Sequence, residues 1–123
     1  MKRWGLRVDA LVGGSKDVTR VRQALVTTAA PRTVITPALA AKVARRVSGP
    51  EACTMSPSIG EVCGPTARLN VAVDGCRAAR VGAVVARLPG GLKMALGRDV
   101  IEKSVKAIDF STAPATFRCQ RSR

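Results

Sequence analysis

Four cysteines, eight acids and two adjacent threonines are the residues through which this chain could do chemistry. The cysteines stand at Cys53, Cys63, Cys76 and Cys119. None is spaced as CxxC, so neither a zinc knuckle nor a redox dithiol has a local signature. The start, Met1-Lys2-Arg3-Trp4, is basic, but Arg7, Asp9 and Gly13-Gly14 break up any apolar stretch of signal-peptide length. The cysteines therefore read as four reduced thiols in a cytoplasmic protein, buried as small apolar groups. Cys53 and Cys63 flank one loop-like stretch and could face each other across a hairpin. There is no His in 123 residues. That removes a His-based triad and a His-ligated metal from the chain's own repertoire. No metal or cofactor site is expected.

Lys plus Arg total 21 against eight acids, a formal charge of +13. Anionic surfaces will be attracted to such a chain at long range. The bases are dispersed, however. Only Lys2-Arg3 and Arg45-Arg46 are adjacent pairs, and one Trp and two Phe leave little to stack on bases. Gly13-Gly14 builds no phosphate loop, because no Gly-Lys-Ser/Thr helix start follows it. The longest strongly apolar run, Val81 to Ala86, is far short of a membrane span. With 46% apolar residues the chain should fold.

The elements that must position these groups are mostly short strands. Residues 6–12 and 18–26 suit a hairpin turning at 13–17. Thr33-Val34-Ile35 is β-branched and suits a strand. Thr36-Pro37 is a helix start, with Leu39, Val43 and Val47 as its apolar stripe and Ser48-Gly49-Pro50 as its stop. Residues 50–66, rich in Pro, Gly and Ser, read as a long loop or a loose hairpin with its tip near Pro57 to Gly60. Residues 67–73 and 79–88 form two strong strands about an Asp74-Gly75 turn. Pro89-Gly90-Gly91 turns the chain again. Residues 92–96 are a short apolar segment. Asp99 is expected to cap a helix reaching Ser104, with Glu102 completing a capping box. Ala107 to Phe110 reads as one more strand.

The order of Ala24-Leu25-Val26, Thr27-Thr28-Ala29-Ala30, and later Met94-Ala95-Leu96-Gly97-Arg98-Asp99-Val100-Ile101 resembles the retropepsin-like aspartic proteases. In that family the first strand leads to Asp-Thr-Gly-Ala/Ser. A hydrophobic–hydrophobic–Gly segment recurs near the end, often as Leu-Leu-Gly-Arg-Asp. The resemblance covers roughly residues 7–110. It implies a mainly β domain over residues 1–115, a small closed or open β-barrel with one or two short helices, followed by a basic tail over 116–123. It also implies a homodimer. Leu96, Gly97, Arg98 and Asp99 are then its second structural motif. Residues 53–65 occupy the place of the flap, with Ser58, Ile59 and Gly60 at the tip over a bound extended peptide.

The departure lies at the centre. Thr27 stands where the family has its catalytic Asp, and Ala29 where it has Gly, while Thr28 keeps the family's Thr. Two carboxylates that share a proton activate water in such enzymes. A threonine hydroxyl has no useful basicity near neutral pH. None of Asp9, Asp17, Asp74, Asp99 and Asp109 combines a strand end with a small-residue loop. The expectation is a catalytically inactive homodimeric scaffold or extended-peptide binder. One alternative is an active aspartic endopeptidase of the family, or an altered copy of one. A second is a small basic β domain that binds nucleic acid.

Overall fold

Apolar alternation builds the first hairpin. Strand β1 (Leu6–Gly13) pairs antiparallel with β2 (Val18–Val26), from Leu6↔Val26 to Gly13↔Val18. The register shifts between Val8 and Ala10. There Gln23 takes a positive φ of 62° and its N–H donates to Asp9 Oδ1 at 3.4 Å. The structure is a computed structural model and describes residues 6–14, 17–44, 47, 49–73, 76–109 and 116–119. Trp4, Arg45-Arg46, Asp74-Gly75 and Phe110, singled out from the sequence, lie outside the described residues.

After β3 (Val34–Ile35), helix α1 (Pro37–Val43) starts as its sequence dictates. Pro37 takes the first position, and Thr36 Oγ1 accepts from the Leu39 N–H at 3.4 Å. The helix stops at Val43, a turn short of Val47, because Ala44 is already extended at φ −126° and ψ 138°. Val43 presents its carbonyl to the Asp17 N–H instead. Strands β4 (Gly49–Ser56) and β5 (Gly60–Val73) then form the hairpin expected over residues 50–66. Strand β6 (Cys76–Val85) pairs back along β5. A 3-10 turn at Pro89–Gly91 leads to β7 (Met94–Leu96) and helix α2 (Arg98–Ser104). Strands β8 (Val105–Asp109) and β9 (Thr116–Cys119) make a separate two-stranded sheet. Residues 116–119 are that sheet's second strand.

The main sheet runs β1-β2-β7-β3-β6-β5-β4. β7 is inserted between β2 and β3, parallel to the first and antiparallel to the second. β3 lies parallel to β6. A further pairing of β1 with β5, from Ala10↔Val73 to Gly13↔Asn70, joins six strands in a ring. The ring is not a barrel, and the expectation of a closed or open β-barrel is corrected here. A barrel needs strands whose tilt and stagger agree around the closure. β3 and β7 are only two and three residues long and pair with their neighbours through two-residue ladders. The fold is a mixed, mainly β sheet with two short helices.

The central strands are apolar on both faces because both are covered. Ala24, Val26, Ile35, Val85, Met94 and Leu96 enter the main core with Leu39, Val43 and Val100. Leu25, Val34, Val84 and Ala95 point the other way, into a second cluster closed by Ile59. The β4–β5 hairpin supplies that cover, with Ala52 and Val62 against the same cluster. Among the described residues no helix is long and apolar enough to cross a membrane.

The cysteines also correct the sequence reading. They are paired as Cys53–Cys63 and Cys76–Cys119, and none is free. Register is the reason for the first pair, since Cys53 and Cys63 are direct cross-strand partners with Cα atoms 4.0 Å apart. The second ties the start of β6 to the end of β9, with Cα atoms 5.0 Å apart. Only Cys76 is a buried residue; Cys53, Cys63 and Cys119 are exposed.

Candidate functional site

β2 ends at Val26 and the chain reverses at once. The Ala30 N–H donates to the Thr27 carbonyl at 3.1 Å, closing a turn. Thr27 and Ala30 are buried within it, while Thr28 and Ala29 are exposed at its crest. Strand β7 and the start of α2 fix this turn from beneath. The Thr27 N–H donates to the Leu96 carbonyl at 2.9 Å, and the Arg98 N–H to the Ala30 carbonyl at 2.8 Å. Gly97 passes between these two bonds. A Cβ on Gly97 would fall on the Arg32 carbonyl and 2.8 Å from the Thr33 nitrogen.

Thr33 is the second anchor. Its hydroxyl accepts from the Gly97 N–H at 3.0 Å and donates to Asp99 Oδ1 at 2.7 Å. Its N–H donates to Asp99 Oδ2 at 3.2 Å. Asp99 Oδ1 also accepts from the Val100 N–H at 2.8 Å. Asp99 therefore sits inside the first turn of α2 and looks back across 66 residues of chain. The cap position belongs to Gly97, whose carbonyl accepts from Val100 and Ile101. Asp99→Ala should cost about 2–3 kcal/mol, since it leaves fully buried Thr33 N–H and O–H groups unpaired. Asp99→Asn should lose less, because its amide oxygen still accepts. Urea unfolding of the two variants measures the difference.

The exposed side of the turn faces the hairpin. Ala29 and Pro31 on one side, with Cys53, Thr54, Met55 and Glu61 on the other, border an open groove of about 370 Å³. The Arg32 N–H donates to Thr54 Oγ1 at 3.2 Å and sets its width. Among the described residues β4 ends the main sheet and pairs only with β5, so its second edge is a free strand edge. Such an edge offers N–H and C=O groups to an incoming extended chain.

The turn residues Thr27, Thr28 and Ala29 are thus brought together with Leu96, Gly97, Arg98 and Asp99. The hairpin tip is not brought into this groove. Ser58 is exposed, Gly60 has a positive φ of 74°, and the Ile59 side chain is tucked into the second cluster. The groove is lined by the hairpin's stem instead. Sequence reasoning missed Pro31, Thr54, Met55 and Glu61. The facing cysteines carried the signal: pairing Cys53 with Cys63 places Thr54 opposite Val62 and Met55 opposite Glu61.

Chemically, the site can hold an extended backbone. Among the described residues Glu61 is the one carboxylate on its rim, and Asp99 is occupied by Thr33. Arg98 is exposed, 3.9 Å from Glu102 on its own helix. Among the described residues no group of three His, Cys, Asp or Glu could hold a metal ion. Comparison of the chain with protein-family models and with curated proteins finds no match.

Proposed function

We propose that this protein binds an extended peptide along the free edge of β4, over the Thr27–Ala30 turn, and does not cleave it. The observation that carries the reading is the groove itself, with a free strand edge on one side and a rigidly tied turn on the other. Backbone pairing to the edge gives affinity, and Met55, Glu61 and Pro31 select side chains. The reading extends the resemblance to the retropepsin-like family, in which a flap hairpin covers a peptide above two aspartates. It rests on the turn, the hairpin and the Gly97 motif, and not on a barrel. Thr27 supplies no carboxylate, so the family's water activation has no base. A homodimer fits this proposal, with Thr28 of each copy exposed at the turn's crest. Sedimentation should then give twice the 12.9 kDa chain mass.

The test is binding and cleavage on one mixed pool of unstructured peptides between about pH 4 and 7. Anisotropy should report binding, and mass spectrometry should find the peptides intact. Ala29→Trp fills the groove from an exposed turn position and should abolish binding with the fold retained. Cleavage by the native chain, or binding indifferent to Ala29→Trp, would refute the reading. Thr27→Asp restores the family's carboxylate, one per subunit. It should create slow peptide cleavage that a transition-state analogue blocks.

A further inference from the structure

We propose that the outer face of strands β2, β1, β5 and β6 binds the sugar–phosphate backbone of a nucleic-acid duplex. The site shares no residue with the lining of the peptide groove, although Arg32, whose N–H bonds Thr54 there, sends its guanidinium to this face.

The registers define the face. Arg20 on β2 lies opposite Leu11 on β1, Leu11 opposite Ala72 on β5, and Ala72 opposite Arg77 on β6. Directly paired residues share a face of the sheet. Val12, Val71 and Val73 on the same strands point into the core, so this row points outward. Arg20 and Arg77 are exposed at its two ends. Three strand spacings separate them, roughly 14 Å, or about four base-pair rises of a duplex. Arg22 follows buried Val21 on the same side of β2, and Arg68, paired with Gly82, extends the face along β5. The Arg32 guanidinium comes to 3.9 Å from where a Gly82 Cβ would stand, beside Arg68. Against these five bases the described acids nearby are Asp9 and Asp17. Both accept backbone N–H bonds in the β1–β2 hairpin, from Gln23 and Val18.

The surface beside Arg77 is concave. Leu11, Gly13, Gly14, Val18, Asn70 and Arg77 border a hollow of about 540 Å³. Guanidinium groups grip phosphate oxygens in a bidentate fork. The hollow admits a convex backbone beside Arg77, and the other arginines lie along the same face. Its exposed apolar residues, Leu11 and Val18, line a depression. They do not crown a protrusion that could enter a lipid bilayer. No aromatic residue stands among those named on this face, so bases have no stacking platform there and duplex is favoured over single strand.

The test is duplex binding by the full chain at several salt concentrations, with a random duplex of about 20 base pairs. Five phosphate contacts predict a slope of log affinity on log salt of about −4.5. The triple variant Arg20→Gln, Arg68→Gln, Arg77→Gln should lose at least tenfold in affinity, and its slope should shrink by roughly 2.7. A variant with the same charge loss elsewhere, Lys42→Gln, Lys93→Gln, Lys103→Gln, should lose less than about twofold. Circular dichroism checks that both are folded. Equal losses in the two variants would reduce the effect to net charge and overturn the proposal. So would failure to bind duplex while binding vesicles of anionic lipid.

Discussion

Gly97→Ala should destabilise the protein by about 3 kcal/mol or more, the upper end of what overpacking costs. The added methyl meets backbone, the Arg32 carbonyl and the Thr33 nitrogen, and not a side chain that could rotate away. Relief requires the two chain segments to separate. Separation would stretch the bonds from Thr27 to Leu96, from Gly97 to Thr33 and from Arg98 to Ala30 together. In thermal unfolding the loss should appear as a fall of roughly 10–15 °C in Tm for a chain of this size. Gly82→Ala is the control. Its added carbon finds only the end of the Arg32 side chain, at 3.9 Å, so stability should change by less than about 1 kcal/mol. If Gly97→Ala were as mild as Gly82→Ala, the tight crossing beneath the Thr27 turn would be wrong. Peptide binding should fall in step with stability, because the same bonds hold one wall of the groove.

Much of the fold was legible from local pattern. Alternation marked β1, Thr36-Pro37 marked the start of α1, the one-face spacing of Leu69, Val71 and Val73 marked β5, and an apolar run marked β6. These signals are local, and they survive because each element buries the face its pattern offers. The closure of the sheet was not legible. Whether strands close into a barrel depends on tilt, stagger and partner length, and two-residue β3 leaves no periodic trace. The length of α1 failed for a related reason. Val47 continues the helical stripe, yet it packs against the core from a segment that has already left the helix. A stripe records which residues face the core, not which conformation delivers them.

The candidate site was legible in half. The Thr27 turn and the Gly97 segment stand out in sequence because both must be small, and the structure packs them backbone to backbone. The hairpin and its tip were legible, but not the packing of the tip. The tip looked free because Pro57, Ser58 and Gly60 are turn residues, but Ile59 between them is apolar and folds back into the second cluster. Asp99 was taken for a cap because it precedes a helix. Its real partner, Thr33, is 66 positions away, and no local rule reaches that far. The cysteines were misread in their pairing. Absence of an apolar leader argued for reduced thiols, whereas strand register alone brings Cys53 onto Cys63.

Removing the Cys76–Cys119 bridge should cost about 4 kcal/mol, the chain-entropy value for a closed loop of 43 residues. Against a typical domain stability of roughly 5–15 kcal/mol that is a large share. A paired Cys76→Ala, Cys119→Ser variant should show where the loss falls. β8 and β9 form a two-stranded sheet that is marginal by itself. Hydrogen exchange should therefore rise first in β9 and leave the ladder of β5 and β6 protected. Peptide binding should persist in that variant, because the groove lies on the main sheet. The Cys53–Cys63 bridge should behave in the opposite way. Its loop spans ten residues, worth at most about 2.7 kcal/mol, and its strands are already paired. Yet it clamps the wall that Thr54, Met55 and Glu61 present to the groove. Losing it should cost more in peptide affinity than in stability, since a loosened strand edge must be ordered again on binding. A double substitution to Ser that left affinity unchanged would show that the hairpin wall is not where the peptide binds.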